Sequence, residues 1–249
     1  MKKWLGVLSL VLGISLQAGT INLAVAANVT YAMDELVAKF NETNPNTKIE
    51  TTLSSSGKLV AQIKNGAPYV ILMAANMAYP EAMYKEGFAV TEPKIYARGA
   101  LAFLSAKTHN YAEGLSLLAK DNIRKVAIAN PKTAPYGTAA VEAMKKSNLY
   151  EAIEPKLVYA ESISQTVTYS VTAADIGIVN ASALYSSKMT DYKRGVHWEM
   201  VDKSLYTPID QGIVLLKKGE ESAEARAFYD FMLSEDARKI MERYGYLLP

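Results

Sequence analysis

The chain has 249 residues, of which half are apolar and 21% charged, with 27 Lys and Arg against 25 Asp and Glu and no cysteine. This length favours either one large domain or two lobes over a single small core. The absence of cysteine excludes a disulfide scaffold, a thiolate metal site, a cysteine nucleophile and a lipid-anchored cysteine. The balanced charge argues against the basic face that nucleic-acid binding requires.

The first 18 residues are typical of a secretory signal peptide. Lys2 and Lys3 precede an apolar run at 4–16, which is short for a membrane span because a span needs about 20 residues. We place the cleavage after Ala18, because a cut after Ala26 would destroy the first predicted strand. Cleavage would remove both lysines and leave a neutral mature chain. Retention of the run as a membrane anchor is the alternative.

In the first half of the mature chain, short apolar runs alternate with amphipathic segments. Strands are predicted at 21–26, 48–53 and 70–74, and each is followed by a segment with apolar residues at helical spacing. These helical faces carry Met33, Leu36, Val37 and Phe40 in the first segment, Leu59 and Ile63 in the second, and residues 79–86 before Gly87 in the third. The pattern predicts repeated strand–helix units.

The second half continues the same alternation, with residues 100–104 opening the next unit. Further strands are predicted at 126–129, 156–159, 176–179 and 213–216, with helices at about 137–147 and 164–173. The C-terminal end is helical, and Ser234 is the predicted N-cap and Gly245 the predicted stop. The whole pattern predicts an α/β fold with mostly parallel sheets and a ligand cleft between two lobes.

Four strand-to-helix junctions are rich in small, hydroxyl and amide residues. They read AANVT at 26–30, SSSGK at 54–58, PKTAPYG at 131–137 and ESIS at 161–164. The first N–H groups of a helix have no partner within it and carry the positive end of its dipole, so such turns can hold an anion. Each junction alone is more typical of an ordinary cap or turn, and the argument rests on the four together.

Four motifs occur in a specific order: SSSG at 54–57, QIKNGAP at 62–68, NPKTAPYG at 130–137 and RYG at 243–245. From about residue 20 to the C-terminus, the chain resembles the periplasmic molybdate-binding proteins of bacterial ABC transporters. This resemblance implies a type II periplasmic-binding-protein fold, in which two α/β lobes are joined by crossover strands and enclose the ligand cleft. We expect lobe 1 at 19–97 plus 209–249 and lobe 2 at 98–208.

The resemblance also implies a set of oxyanion-binding residues. Ser56 falls on a ligand serine of the family, and Tyr136 and Ile163 fall on positions that donate backbone N–H groups. Asn28 and Asn180 stand where many members have hydroxyl residues, and each amide retains a donor. The predicted site is therefore Asn28, Ser56, Tyr136, Ile163 and Asn180.

The predicted function is the binding of molybdate, and also tungstate, for delivery to an ABC transporter permease. We expect a periplasmic monomer that needs no cofactor, binds no nucleic acid and is not an enzyme. The ligand set contains donors and no carboxylate, which favours a fully deprotonated dianion over phosphate, unless Glu161 points inward. Closure about crossovers near 96–99 and 207–211 would trap the ion.

Three alternatives stay open at this stage. Sulfate is another dianion that the same donors would accept. Ser55 and Lys58 form the S-x-x-K pattern of exported serine hydrolases, although the companion motifs S-D-N and K-T-G are missing. An organic ligand such as an amino acid would need an arginine and an acid; Arg98 lies near the expected crossover, but no partner for it stands out.

Overall fold

The computed structural model describes residues 19–248, so the predicted signal peptide at 1–18 lies outside the described residues. The strands are β1 (Thr20–Ala26), β2 (Lys48–Ser54), β3 (Ile71–Ala74), β4 (Lys94–Gly99), β5 (Leu101–Leu104), β6 (Val126–Ala129), β7 (Leu157–Ala160), β8 (Ile176–Asn180), β9 (Trp198–Met200) and β10 (Ile209–Leu215). The α-helices are α1 (Thr30–Asn41), α2 (Ser56–Lys64), α3 (Ala78–Lys85), α4 (Ser116–Ala119), α5 (Pro135–Lys146), α6 (Tyr150–Ile153), α7 (Ile163–Thr172), α8 (Ala223–Met232) and α9 (Glu235–Arg243).

The strands form two five-stranded sheets. The first has the order β2-β1-β3-β10-β4, and the second has the order β7-β6-β8-β5-β9. Strands of the first sheet come from residues 20–99 and 209–215, whereas those of the second come from 101–200. The α/β fold class is confirmed. The exact lobe boundaries stay a prediction, and the one at 97/98 falls inside β4.

The expectation of mostly parallel sheets is wrong, because both sheets are mixed. In the first sheet β1 pairs in parallel with β2 and β3, but β10 runs antiparallel to β3 and β4. In the second sheet β6 pairs in parallel with β7 and β8, but β5 runs antiparallel to β8 and β9. Strand–helix alternation predicts the parallel pairs, and it gives no signal for strands that leave one sheet for the other.

Two neighbouring strands carry the chain between the sheets. Ala100 alone separates β4 from β5, so the chain passes directly from the first sheet to the second. The returning segment enters β10, which pairs Ile209 with Gly99 and Asp210 with Arg98. The side chains of Arg98 and Asp210 form an ion pair beside this crossover. The crossovers expected near 96–99 and 207–211 thus fall on the end of β4 and the start of β10, and their antiparallel pairing is what the sequence patterns do not predict.

Helices cover both faces of the first sheet because its strands alternate their side chains. Ile21, Leu23 and Val25 of β1 pack with α1, α8 and α9, while Ala24 faces α2 and α3. The second sheet has its own two clusters, one around Ile128 and one around Val179. No helix among the described residues is long and apolar enough to cross a membrane.

Most predicted elements lie within a few residues of the observed ones. The N-cap prediction for Ser234 is confirmed, because its side chain accepts a hydrogen bond from the Ala237 N–H. Gly245 ends the last helix with φ of +73°, a conformation that glycine adopts without steric cost. The exceptions are β9, α4 and α6, which the sequence does not predict, and β4, which it predicts only as a crossover near 96–99. Strand β10 begins four residues before the predicted 213.

Candidate functional site

The starts of three helices and of a 3₁₀ turn meet at a small cavity between the two sheets. The cavity has a free volume of only about 10 Å³ and is lined by Ala26, Ala27, Asn28, Ser54, Ser55, Ser56, Ala75, Ala134, Pro135, Tyr136 and Ile163. A drug-sized ligand needs roughly 300 Å³ or more, so only a very small ligand suits this space. Among these lining residues, none has a charged side chain.

Helix α2 begins at the cavity without a side-chain cap. Ser55 is the N-cap residue, and its hydroxyl is buried without a hydrogen-bond partner among the described residues. Ser56 is fully buried, and its Oγ accepts the Ala75 N–H at 2.9 Å. Because that bond uses Ser56 Oγ as an acceptor, its own proton is free to be donated. The two serines thus bring hydroxyl donors to the cavity.

Helix α5 begins on the opposite side of the cavity, also without a side-chain cap. Ala134 precedes it, and Pro135 occupies the first turn, where its missing N–H costs nothing. The N–H groups of Gly137 and Thr138 both donate to Ala134 O, at 2.9 and 3.1 Å. Tyr136 therefore carries the first N–H of this helix, and it has no acceptor within the helix.

Gly137 allows α5 to approach β6 closely. A Cβ atom at this position would lie 2.0 Å from the Ala129 carbonyl oxygen, so only glycine fits there. This contact explains the glycine of the PKTAPYG motif in packing terms, and it sets the start of α5 at the end of the strand.

Helix α7 starts with a reciprocal cap. Ser162 Oγ accepts the Gln165 N–H at 3.3 Å, while Gln165 Oε1 accepts the Glu161 N–H at 2.7 Å. This is a capping box displaced by one residue, because the usual partner of the second bond is the N–H of the N-cap residue itself. Ile163 is the first helical residue and lines the cavity. Its N–H lies outside the capping box and, as at any helix start, has no acceptor within the helix.

Asn28 lies in the 3₁₀ turn Ala27–Val29 and also lines the cavity. Its side-chain nitrogen donates to Gln211 Oε1 and to Tyr246 Oη, each at 2.8 Å. Both amide hydrogens are thus used inside the protein. The predicted role of the Asn28 amide as an anion donor has to compete with these two bonds, whereas the backbone of the turn remains beside the cavity.

Asn180 is fully buried but is not among the residues that line the cavity. Its side-chain nitrogen donates to Ser182 Oγ at 2.6 Å and to Asn28 O at 3.3 Å. The structure therefore brings four of the five predicted residues to one cavity and places Asn180 behind the Asn28 turn. Which of them contact an anion stays a prediction.

The side chain of Tyr136 extends from the second sheet towards the crossover. A Cβ atom at Gly99 would lie 2.0 Å from Tyr136 Oη, so the phenol fits only because β4 ends in glycine. Burial raises the pKa of Tyr136 well above its ordinary value. The phenol is therefore neutral at any physiological pH and adds no charge near the cavity.

Two contacts join the sheets at the mouth of the cavity. The Gly57 N–H donates to Thr133 O at 2.9 Å, and the side chains of Lys58 and Glu161 form an ion pair. These two side chains are 43% and 60% exposed, so the pair contributes only about 0–1 kcal/mol. Glu161 thus lies at the surface against Lys58 and does not line the cavity.

The geometry argues against the hydrolase alternative. Lys58 pairs with Glu161, and the Ser55 hydroxyl has no partner among the described residues, so no base lies within hydrogen-bond distance of it. Arg98 pairs with Asp210 beside the crossover, away from the residues that line the cavity. The acid–base and carboxylate-binding arrangements that the alternatives need are therefore not found at the cavity.

Sequence reasoning missed three residues of this region. Ser55 is singled out in the sequence only by the S-x-x-K pattern, and the family resemblance points to Ser56 instead. Gln211 and Tyr246 contact Asn28 from 183 and 218 positions away, and no local pattern reports such contacts.

Comparison with known proteins gives a consistent family assignment. Residues 21–247 match the family model described as bacterial extracellular solute-binding protein. The molybdate-binding protein ModA of Rhodobacter capsulatus is 39% identical over 96% of this chain and 94% of its own, and that of Azotobacter vinelandii is 37% identical over 92% and 90%. The solved structure of the periplasmic molybdate-binding protein of A. vinelandii superposes with a TM-score of 0.83 at 28% identity, covering 92% of this chain and 99% of that one.

Proposed function

This chain belongs to the family of bacterial extracellular solute-binding proteins, and we propose that it binds molybdate and delivers it to an ABC transporter permease. Its relatives at 37–39% identity are named for molybdate binding. The chain is a binding protein rather than an enzyme. The proposal extends to tungstate, which has the same tetrahedral shape and charge.

One observation carries the proposal: uncapped helix starts from both sheets converge on a cavity without a charged side chain. Phosphate often keeps a proton at neutral pH and needs an acceptor for it, whereas a fully deprotonated dianion needs donors alone. Hydrogen bonds to a charged partner contribute about 1.5–3 kcal/mol each. Six would give a gross total of roughly 9–18 kcal/mol, of which micromolar binding needs only about 8 kcal/mol net.

Capture then requires movement of the lobes but no chemical step. In the open form the ion binds at the start of α2 and the Asn28 turn. Closure about β4 and β10 brings the N–H groups of Tyr136 and Ile163 to it, and the Gly57–Thr133 hydrogen bond forms at the mouth. The closed form is the species that docks on the permease.

The remaining assignments follow from the family and the N-terminal residues. We propose that residues 1–18 are a cleaved signal peptide, that the mature chain is a periplasmic monomer, and that it needs no cofactor. Sulfate is the second candidate cargo, because the donors at the cavity do not by themselves distinguish one tetrahedral dianion from another.

A thermal-shift panel tests the proposal. The mature chain, residues 19–249, is melted with molybdate, tungstate, sulfate and phosphate in turn. A ligand present at 100 times its Kd stabilises the folded state by about 2.7 kcal/mol. We expect molybdate and tungstate to raise the melting temperature and phosphate to leave it unchanged. If no oxyanion shifts the melting temperature, the proposed function is refuted. If sulfate alone shifts it, sulfate and not molybdate is the ligand.

A further inference from the structure

A network of buried polar groups lies behind the cavity. It contains Asn28, Asn180, Ser182, Gln211 and Tyr246, and of these only Asn28 lines the cavity. Tyr246 Oη lies 2.8 Å from both the side-chain nitrogen and the carbonyl oxygen of Asn28. Asn180 and Ser182 reach the same carbonyl oxygen at 3.3 Å each. The Asn28 turn is thus held by side chains at and just after the end of β8 and by one from the C-terminal segment.

The direction of the hydrogen bonds follows from Gln211. Its side-chain nitrogen donates to Ile209 O at 2.8 Å, which turns its oxygen towards Asn28. The oxygen can only accept, so the Asn28 amide must present its nitrogen there. That nitrogen also donates to Tyr246 Oη, and both of its hydrogens are then used. The Asn28 side chain therefore secures the turn and retains no donor for an anion.

Tyr246 is itself held in place by the crossover. Gly245 turns the chain after α9 with φ of +73°, and Tyr246 N–H donates to Met241 O at 3.1 Å. The next residue, Leu247, exchanges backbone hydrogen bonds with Arg98 of β4, at 2.7 and 2.9 Å. The tyrosine thus connects the strand about which the lobes move with the turn that lines the cavity.

We propose that Tyr246 is a positioning residue for the anion site: its hydroxyl sets the Asn28 turn, and Asn180 and Ser182 tie that turn to the second sheet. This inference rests on the proposed function. Tyr246 and Asn180 touch no part of the cavity and act on the ion only through the Asn28 turn. Anion retention consequently depends on a hydroxyl near the C-terminus, and the buried amide at Asn180 serves the turn instead of the ligand.

The test compares two tyrosine-to-phenylalanine variants of residues 19–249. Tyr246→Phe keeps the aromatic ring and removes the hydroxyl that forms hydrogen bonds with Asn28. Tyr96→Phe is the matched control, because its hydroxyl is equally buried in the same core and has no partner among the described residues. Molybdate dissociation is followed by stopped-flow competition and stoichiometry by calorimetry. We expect Tyr246→Phe to raise koff about tenfold at unchanged stoichiometry, and Tyr96→Phe to match the wild type.

The stoichiometry and koff together separate positioning from a purely structural role. A structural role would lower the melting temperature and the competent fraction but leave koff of the remaining protein unchanged, and that result would overturn the inference. Ser182→Ala, which removes a weaker contact to the same carbonyl, supplies a milder variant should Tyr246→Phe fail to fold. We expect a rise of about threefold in koff, and wild-type koff would count against the inference. Absence of molybdate binding by the wild type would instead refute the proposed function.

Discussion

Helices α2 and α5, which begin at the cavity, differ from α8 and α9, which begin away from it. Helices α8 and α9 start with Ser222 and Ser234, whose hydroxyls accept hydrogen bonds from Ala225 and Ala237 N–H groups at 3.1 and 3.3 Å. Helices α2 and α5 start at the cavity with no such bond. A serine before a helix therefore has one of two roles in this protein. It either caps its own helix, or it faces the cavity and leaves the first N–H groups of the helix available for a ligand.

The difference has an energetic side. A side-chain N-cap stabilises a helix by about 0.5–2 kcal/mol, so α2 and α5 forgo this stabilisation in the absence of an anion. Helix α7 is intermediate, because the Ser162 hydroxyl caps it by accepting the Gln165 N–H while Ile163 still lines the cavity. Donors that are not used within the fold are those that a ligand can use, and sites of function commonly depart from local stability rules in this way.

The largest expected effect comes from keeping the starts of α2 and α5 apart. A Cβ atom at Gly57 would lie 3.1 Å from the backbone of Thr133 and 2.8 Å from Tyr79 Oη, and Gly57→Val adds further methyl groups to that contact. Overpacking and loss of the Gly57–Thr133 hydrogen bond together lower molybdate affinity about a hundredfold. Calorimetry checks this, with Ala61→Val at an exposed position of α2 as control. Equal affinity for both variants would show that the lobes need not meet at Gly57.

Ser56→Ala is expected to affect both binding and folding. It removes a donor to the ion, which lowers affinity by about 1–3 kcal/mol. It also leaves the buried Ala75 N–H without its acceptor, which lowers the free energy of unfolding by about 1–3 kcal/mol. Calorimetric titration and urea unfolding measure the two effects separately. Unchanged affinity would remove Ser56 from the site.

Ser55→Ala sharpens the comparison, because its hydroxyl has no partner among the described residues. We expect affinity for molybdate to fall about tenfold, as for one lost donor to a charged ligand. The melting temperature without ligand stays unchanged, since no hydrogen bond of the folded chain is lost. Calorimetric titration with molybdate measures the affinity, and thermal unfolding without ligand measures the melting temperature. A lower melting temperature with full affinity would mean that Ser55 is an ordinary cap.

Ser234→Ala is the reverse case and has the smallest expected effect. Loss of the cap on α9 lowers the free energy of unfolding by about 1 kcal/mol, which shifts the melting temperature by roughly 2–4 °C for a protein of this size. Affinity for molybdate stays at the wild-type value. Ser222→Ala on α8 serves as the parallel variant. A change in affinity in either variant would contradict the division between the two sets of helices.

Much of this organisation was predictable because its signals are local. The i, i+3, i+4, i+7 spacing in α1, the turn glycine at 245 and the cap at Ser234 each reflect a few neighbouring residues. The same holds for the junctions at 54–58 and 131–137, whose composition and order carried both the anion prediction and the family resemblance. Local chemistry determines where a helix starts and which groups are available there.

Only the tertiary structure decides how those groups are used. Three serines precede Gly57, and the contact with Ala75 separates the role of Ser56 from that of Ser55. Asn28 and Asn180 are both predicted as donors to the ion, and that stays a prediction. The fold directs the Asn28 amide to Gln211 and Tyr246 and the Asn180 amide to the Asn28 turn. A buried amide bonds to whichever partner the packing brings near, and partners that lie about two hundred residues away leave no trace in local sequence.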